Sequence, residues 1–132
     1  MNAGFESAWW KAQLPENWTA EEDDVCVTFR PPDSSGAVQV SAANKDNGDI
    51  TDDDLTEFAS ERLAQRPVEH VTTPNLQGIY VEYVDGDRVW REWWLRRGHL
   101  LLYVTYNVDK QLREVDRLAV DTFVKGLQPL HT

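Results

Sequence analysis

Apolar and polar residues alternate with period two over three stretches in the first third of the chain. Trp10, Ala12 and Leu14 share one side of Ala8–Leu14, and Val25, Val27 and Phe29 share one side of a second stretch that ends at Pro31 and Pro32. Val38, Val40 and Ala42 mark a third. Successive side chains on an extended backbone point to opposite faces, so each alternation predicts a half-buried strand. The period changes after Ile50. Thr51 reads as a helix N-cap, Asp52, Asp53 and Asp54 put negative charge on the first turn, and Ile50 is placed to staple against Leu55. Leu55, Phe58, Ala59 and Leu63 then recur at helical spacing until Pro67 ends the helix. A second helix is predicted from Asp109 onward, with Val115, Leu118, Ala119, Phe123 and Leu127 on its apolar stripe and Gly126 and Pro129 at its close.

Between the helices, tight-turn signals divide the chain into Gly78–Val84, Arg88–Arg96 and His99–Val108. A two-residue turn at Arg97 and Gly98 sets Leu95 against Leu100, Trp93 against Leu102, Arg91 against Val104 and Val89 against Tyr106. The opposite face then carries Trp94 beside Leu101, Glu92 beside Tyr103 and Trp90 beside Thr105. A three-residue turn at Asp85–Asp87 aligns Tyr83 with Val89 and Val81 with Arg91. Both faces of this hairpin are apolar, which predicts cover on both sides. The expected fold is α+β: a single antiparallel sheet of about six strands with helices packed on its faces, in the order βββ-α-βββ-α.

Length adds that residues 1–132 make a single α+β domain, large enough to bury a core without staples. The lone cysteine, Cys26, excludes an internal disulfide. The first residues lack the basic start of a signal peptide, and no stretch approaches the ~20 apolar residues that span a bilayer. The expected setting is cytoplasmic. Against 13 basic residues stand 23 acidic ones, a net charge of −10, which opposes nucleic acid and anionic membrane surfaces and favours a basic partner.

Three short motifs point to relatives: Pro15 to Trp18 in "LPENW", Gly36 to Ser41 in "GAVQVS", and Tyr103 to Asn107 in "YVTYN". With the order of elements, they make the chain from Ala8 to Leu127 similar to small uncharacterised bacterial proteins and to the PsbP-like α/β/α sandwich proteins, a group that includes bacterial secretion-effector chaperones. The resemblance implies a role in binding other proteins, by analogy of fold.

Candidate chemistry is sparse. With Gly48 at the sixth position of a calcium loop, Ile50 falls at the eighth and Asp54 at the twelfth, but Ala43 and Lys45 occupy ligand positions. A turn followed by a capped helix explains the same residues. Glu21 to Asp24 reads as an exposed acidic loop. Cys26 lies in an alternating strand with no neighbouring base, and His70, His99 and His131 have no ligand spacing. Ser34 and Ser35 before Gly36 lack the nucleophile elbow. No catalytic residue, metal ligand or cofactor is expected, and the chain reads as no enzyme.

What remains is "RVWREWWLRRGHLLLYVTYN", Arg88 to Asn107. Tryptophan, tyrosine and arginine are enriched at interface hot spots. The binding candidates are Trp90, Trp94, Tyr103, Arg96 and Arg97; Trp93 is assigned to the core. The opposing interpretation has the rings filling the core while Glu57, Glu61 or Glu114 pair with the arginines. Arg91, placed between Val81, Trp93 and Val104, needs a carboxylate or carbonyl partner if buried. The expectation is thus a non-enzymatic protein-binding protein, immunity-like or effector-chaperone-like, whose partner is another protein, with Trp90 and Trp94 as a homodimer interface in a further reading. The alternative is a small-molecule-binding or hydrolytic domain with a sheet-edge pocket built from His70 or His99 and a carboxylate.

Overall fold

A computed structural model describes residues 3–32, 35–63 and 67–130. The elements in chain order are β1 (Ala3–Glu6), β2 (Trp10–Leu14), β3 (Thr19–Glu22), β4 (Val27–Arg30), β5 (Ala37–Asn44), α1 (Asp52–Leu63), β6 (Glu69–Thr72), β7 (Gln77–Asp85), β8 (Arg88–Arg97), β9 (Leu100–Asp109), α2 (Arg117–Lys125) and β10 (Gln128–Pro129), with a short 3-10 turn at Lys110–Leu112 before α2. The architecture is α+β and antiparallel, as the sequence pattern predicts. The single six-stranded sheet is not what forms. Seven strands make a large sheet in the order β3-β4-β5-β9-β8-β7-β6, and three make a small one in the order β1-β2-β10.

The first predicted strand, β2, belongs to the small sheet, where its alternating Trp10, Ala12 and Leu14 are buried. Periodicity shows that such a strand buries one face, and it is silent on which sheet receives it. Trp10 meets Phe29 of the large sheet with ring centroids 6.2 Å apart, and Phe29 meets Phe123 of α2 at 4.8 Å. The small sheet and α2 therefore share one face of the large sheet. The other face carries α1, whose Leu55 and Ala59 pack with Ile50 on Ile79, Val81, Trp94 and Leu101. The start of α1 follows the sequence reading closely. Asp54 N donates to Thr51 Oγ1 at 3.1 Å and Thr51 N donates to Asp54 Oδ2 at 2.9 Å, a reciprocal cap.

Both turns of the central meander differ from expectation. Arg97 pairs with Leu100, so Gly98 and His99 form the turn, with Gly98 at φ +57°. The β8–β9 register is shifted by two residues, pairing Trp93 with Val104 and Trp94 with Tyr103. An even shift preserves every face. The β7–β8 turn is instead Gly86 and Asp87, with Gly86 at φ +61°, and Val84 pairs with Val89. Glycine at the first central position with positive φ is the two-residue turn that suits the twist of antiparallel strands. This one-residue difference turns all of β7 over. Val81 moves to the α1 face, and Glu82 comes to lie opposite Arg91. The second helix begins at Arg117, later than predicted, and buries Val120, Phe123 and Val124, leaving Val115 and Leu118 exposed.

Candidate functional site

The turned-over β7 places Tyr80 and Glu82 on the same face as Arg91 and Trp93 of β8, beneath α2. Arg91 is only 5% exposed. Its Nε donates to Tyr80 Oη at 2.8 Å and stands 3.8 Å from Glu82 Oε1, while Nη2 donates to Asp121 of α2. The guanidinium also lies 4.7 Å from the centre of the Trp93 ring and 5.4 Å from that of Tyr80. The ring faces are electron-rich and attract the cation. Yet Nη1 is buried and has no hydrogen-bond partner among the described residues. A shielded donor left unmatched costs about 1–3 kcal/mol, partly offset by the adjoining rings.

Tyr80 passes the interaction on. Its hydroxyl donates to Glu82 Oε1 at 2.5 Å, and Arg117 grips the same carboxylate at 2.8 and 3.2 Å. The Arg117 hydrogen bonds hold the Glu82 carboxyl below the usual range, with burial opposing them and Tyr80 assisting. Burial, then the hydrogen bond to Glu82, pushes the Tyr80 phenol up to about 12. Around this network opens a cleft of about 630 Å³, bounded by α2 through Arg117, Asp121 and Lys125 and by the edge strand β6 through Glu69 and Val71. Lys125 makes no ion pair among the described residues, so the cleft has a free cation at its rim.

Sequence reasoning singled out Arg91 as needing a partner and missed the cleft. Asp121 and Glu82 are separated from it by 30 and 9 positions, and only the β7 register and the start of α2 bring them in. The five predicted binding residues lie elsewhere. Trp94 is 2% exposed beneath α1 and stacks on Tyr103 at 5.1 Å, so it is core and presents no ring to a partner. Half-buried Trp90 stacks on Tyr83 at 6.5 Å. Tyr103 and Tyr83 both donate their hydroxyls to Glu92, a carboxylate with no exposed surface. Arg96 is tied to Asp52 at 2.8 Å, and Arg97 donates to the Asn75 carbonyl at 3.2 Å. Arg88, Arg91 and Arg96 thus pair with aspartates and Glu82 in place of Glu57 or Glu114, Arg88 taking Asp109 at 2.8 Å, while Arg97 meets only a backbone carbonyl among the described residues; the Glu61 side chain lies outside the described residues.

The other candidates resolve similarly. His70 is exposed on β6, on the face away from the cleft, and His99 sits in the β8–β9 turn. His131 and Ser34 lie outside the described residues. Asp54, the twelfth position of the calcium-like loop, is occupied by the helix cap and by Lys45 at 2.9 Å. The acidic segment after Trp18 is partly strand: Thr19–Glu22 forms the exposed edge β3, and Asp23 Oδ1 accepts the backbone N–H groups of Val25 and Cys26. No group of three or more His, Cys, Asp and Glu able to hold a metal occurs among the described residues. No helix among them is long and apolar enough to cross a membrane.

No family model and no curated protein matches the chain. Among solved structures it is similar to a crystal structure from Bacteroides thetaiotaomicron VPI-5482, with 18% identity and a TM-score of 0.71, covering 96% of this chain and 47% of that one. The chain thus spans about half the length of that protein, and the likeness shows a shared fold. It is also similar to the solution structure of cyanobacterial PsbP (CyanoP) from Synechocystis sp. PCC 6803, with 10% identity and a TM-score of 0.48, covering 97% of this chain and 92% of that one. Both are structures of bacterial proteins.

Proposed function

We propose that the protein is a non-enzymatic binding protein that holds a carboxylate-bearing segment of another protein in the cleft over Arg91. The observation that carries this reading is the buried guanidinium whose Nη1 is unmatched beside that cleft. Arginine presents a planar fork that matches carboxylate oxygens, and Lys125 adds a cation at the rim. The overall charge of −10 suggests a basic partner, and the cleft lining balances Arg91, Arg117 and Lys125 against Glu69, Glu82 and Asp121, so the fit to an acidic group rests on the unmatched Nη1 of Arg91. A partner in extended form suits the wall at β6, the terminal strand of the large sheet. Effector-chaperone or immunity-like capture is one setting for such binding.

The same groups are poorly suited to proton transfer at neutral pH. Glu82 is held ionised by Arg117, and Tyr80 keeps its proton up to about 12. A second reading, a free small carboxylate as ligand, is favoured by the cleft volume of about 630 Å³, within the range of small-molecule sites.

Titration with short peptides, followed by NMR at the Trp93 indole and Arg91 Nε–H signals, tests both. Peptides with a free terminal carboxylate or an acidic side chain are expected to shift these signals, and their amidated counterparts to fail. Lys125→Glu should weaken binding by roughly tenfold or more, the scale of a lost charged contact. Equal binding of amidated and acidic peptides would overturn the proposal. Acetate or succinate binding as tightly as the peptides would favour the second reading.

A further inference from the structure

A second concave site lies away from the Arg91 cleft, where the bend between β1 and β2 approaches the β8–β9 turn. It encloses about 670 Å³ and is lined by Trp9, Asn44, Asp49, Arg97, His99 and the backbone at Gly98 and Leu100. Four separate stretches of chain converge there. Trp9 comes from the bend, Asn44 ends β5, Asp49 precedes α1, and the others belong to the turn.

The frame around these side chains is fixed by backbone hydrogen bonds. Lys45 N donates to His99 O at 2.9 Å and Ile50 N donates to Gly98 O at 2.8 Å, which docks the Asp49 loop on the turn. Ser7 N donates to Trp10 O at 2.8 Å and Leu130 N to Trp9 O at 3.0 Å, which pins the bend that carries Trp9. His99 Nδ1 lies 2.6 Å from the Gly48 carbonyl. A carbonyl only accepts, so Nδ1 carries the proton, and in the neutral ring Nε2 is left as an acceptor.

The contrast between the two adjacent tryptophans is informative. Trp10 is 2% exposed in the core, and Trp9 leaves 42% of its surface open at the wall of this site. An indole that lies outside the buried core and is held on a fixed bend offers a flat apolar platform. The other lining groups give and take hydrogen bonds. Arg97 donates, Asp49 accepts, and Asn44 does both. Among the described residues, the Asn44 and Asp49 side chains have no hydrogen-bond or ion-pair partner. One cation and one anion balance each other, so the site selects for no charge.

We infer that this is a binding site for a neutral polyhydroxylated ligand, a mono- or disaccharide. A pyranose has an apolar C–H face that lies on an indole and hydroxyls around its rim, each both donor and acceptor. Trp9 takes the face, while Asp49, Asn44 and Arg97 take neighbouring hydroxyls. A charged ligand is better served by the Arg91 cleft, whose unmatched donor and free lysine this site lacks.

Isothermal titration with glucose, galactose, mannose, xylose, N-acetylglucosamine, maltose and cellobiose, guided by a glycan array, tests the inference on the full chain. At least one sugar is expected to bind saturably, with a Kd of about 1 mM or tighter. Binding should weaken by roughly tenfold or more in both Trp9→Ala and Asp49→Asn and be retained in Arg117→Ala. Thermal unfolding of each variant checks that it folds; should Trp9→Ala fail, Asp49→Asn and Asn44→Ala decide. No saturable binding by any array member overturns the inference. So does a sugar whose affinity is unchanged in the folded Trp9 and Asp49 variants.

Discussion

Trp93 and Trp94 are neighbours on β8 that face opposite layers, one toward α2 and one toward α1. Truncating either to alanine removes a ring that is 5% or 2% exposed, and each is expected to cost about 3–5 kcal/mol in urea denaturation. Trp90→Ala, at a half-buried ring stacked on Tyr83, is expected to cost less. Tyr80 gives a pH-dependent signature. Its phenol ionises at 10 in a free chain and is pushed up to about 12 in the fold, so the native state keeps a proton that the unfolded state releases. Stability should therefore fall as pH rises from 10 to about 12, and Tyr80→Phe should remove that part of the loss. Glu82 works in the opposite direction. Held below its ordinary 4.5 chiefly by Arg117, it contributes fully above that value and loses the contribution as pH falls through its lower native pKa. Arg117→Gln should flatten that part of an acid denaturation curve followed by circular dichroism.

At the scale of elements, the caps, faces and turns differ in how much the sequence discloses. The α1 start was legible because Thr51 and Asp54 make a local bargain, three residues apart, that needs no tertiary contact. Thr51→Ala should cost about 1 kcal/mol in thermal or urea unfolding. The faces of β8 and β9 were equally legible, since period two survives a register shift of two. The partners of Arg91 were not. Whether the turn after Asp85 holds two residues or three decides which face Glu82 occupies, and local composition supports both. The stripe of α2 was misphased because the 3-10 turn at Lys110–Leu112 interrupts a run that otherwise looks helical. Strands β3 and β6 are edge strands with mostly exposed polar residues, so they carry no alternation to detect. Gly78 sets a further constraint on β7. A Cβ there would stand 1.8 Å from the Trp94 carbonyl oxygen, so Gly78→Ala must push β7 and β8 apart. A loss on the order of 4 kcal/mol, or failure to fold cooperatively, is expected in calorimetry.

For the whole molecule, the small sheet is the feature no local pattern announced. Its strand β2 pairs with β1 on one side and β10 on the other, so that Gln128 meets Lys11 across nearly the whole chain. The β7–β8–β9 meander, by contrast, closes through two-residue turns. Bringing distant segments together loses more chain entropy than closing a hairpin, and this difference gives the fold an order in time. The meander is placed to assemble in the folding transition state, with the small sheet sealing Trp10 over Phe29 and Phe123 afterwards. In stopped-flow kinetics, Leu14→Ala in β2 should therefore speed unfolding and leave the folding rate nearly unchanged, whereas Leu95→Ala should slow folding. The layer that closes the aromatic core would then govern how long the native state lasts, and the meander how quickly it is reached.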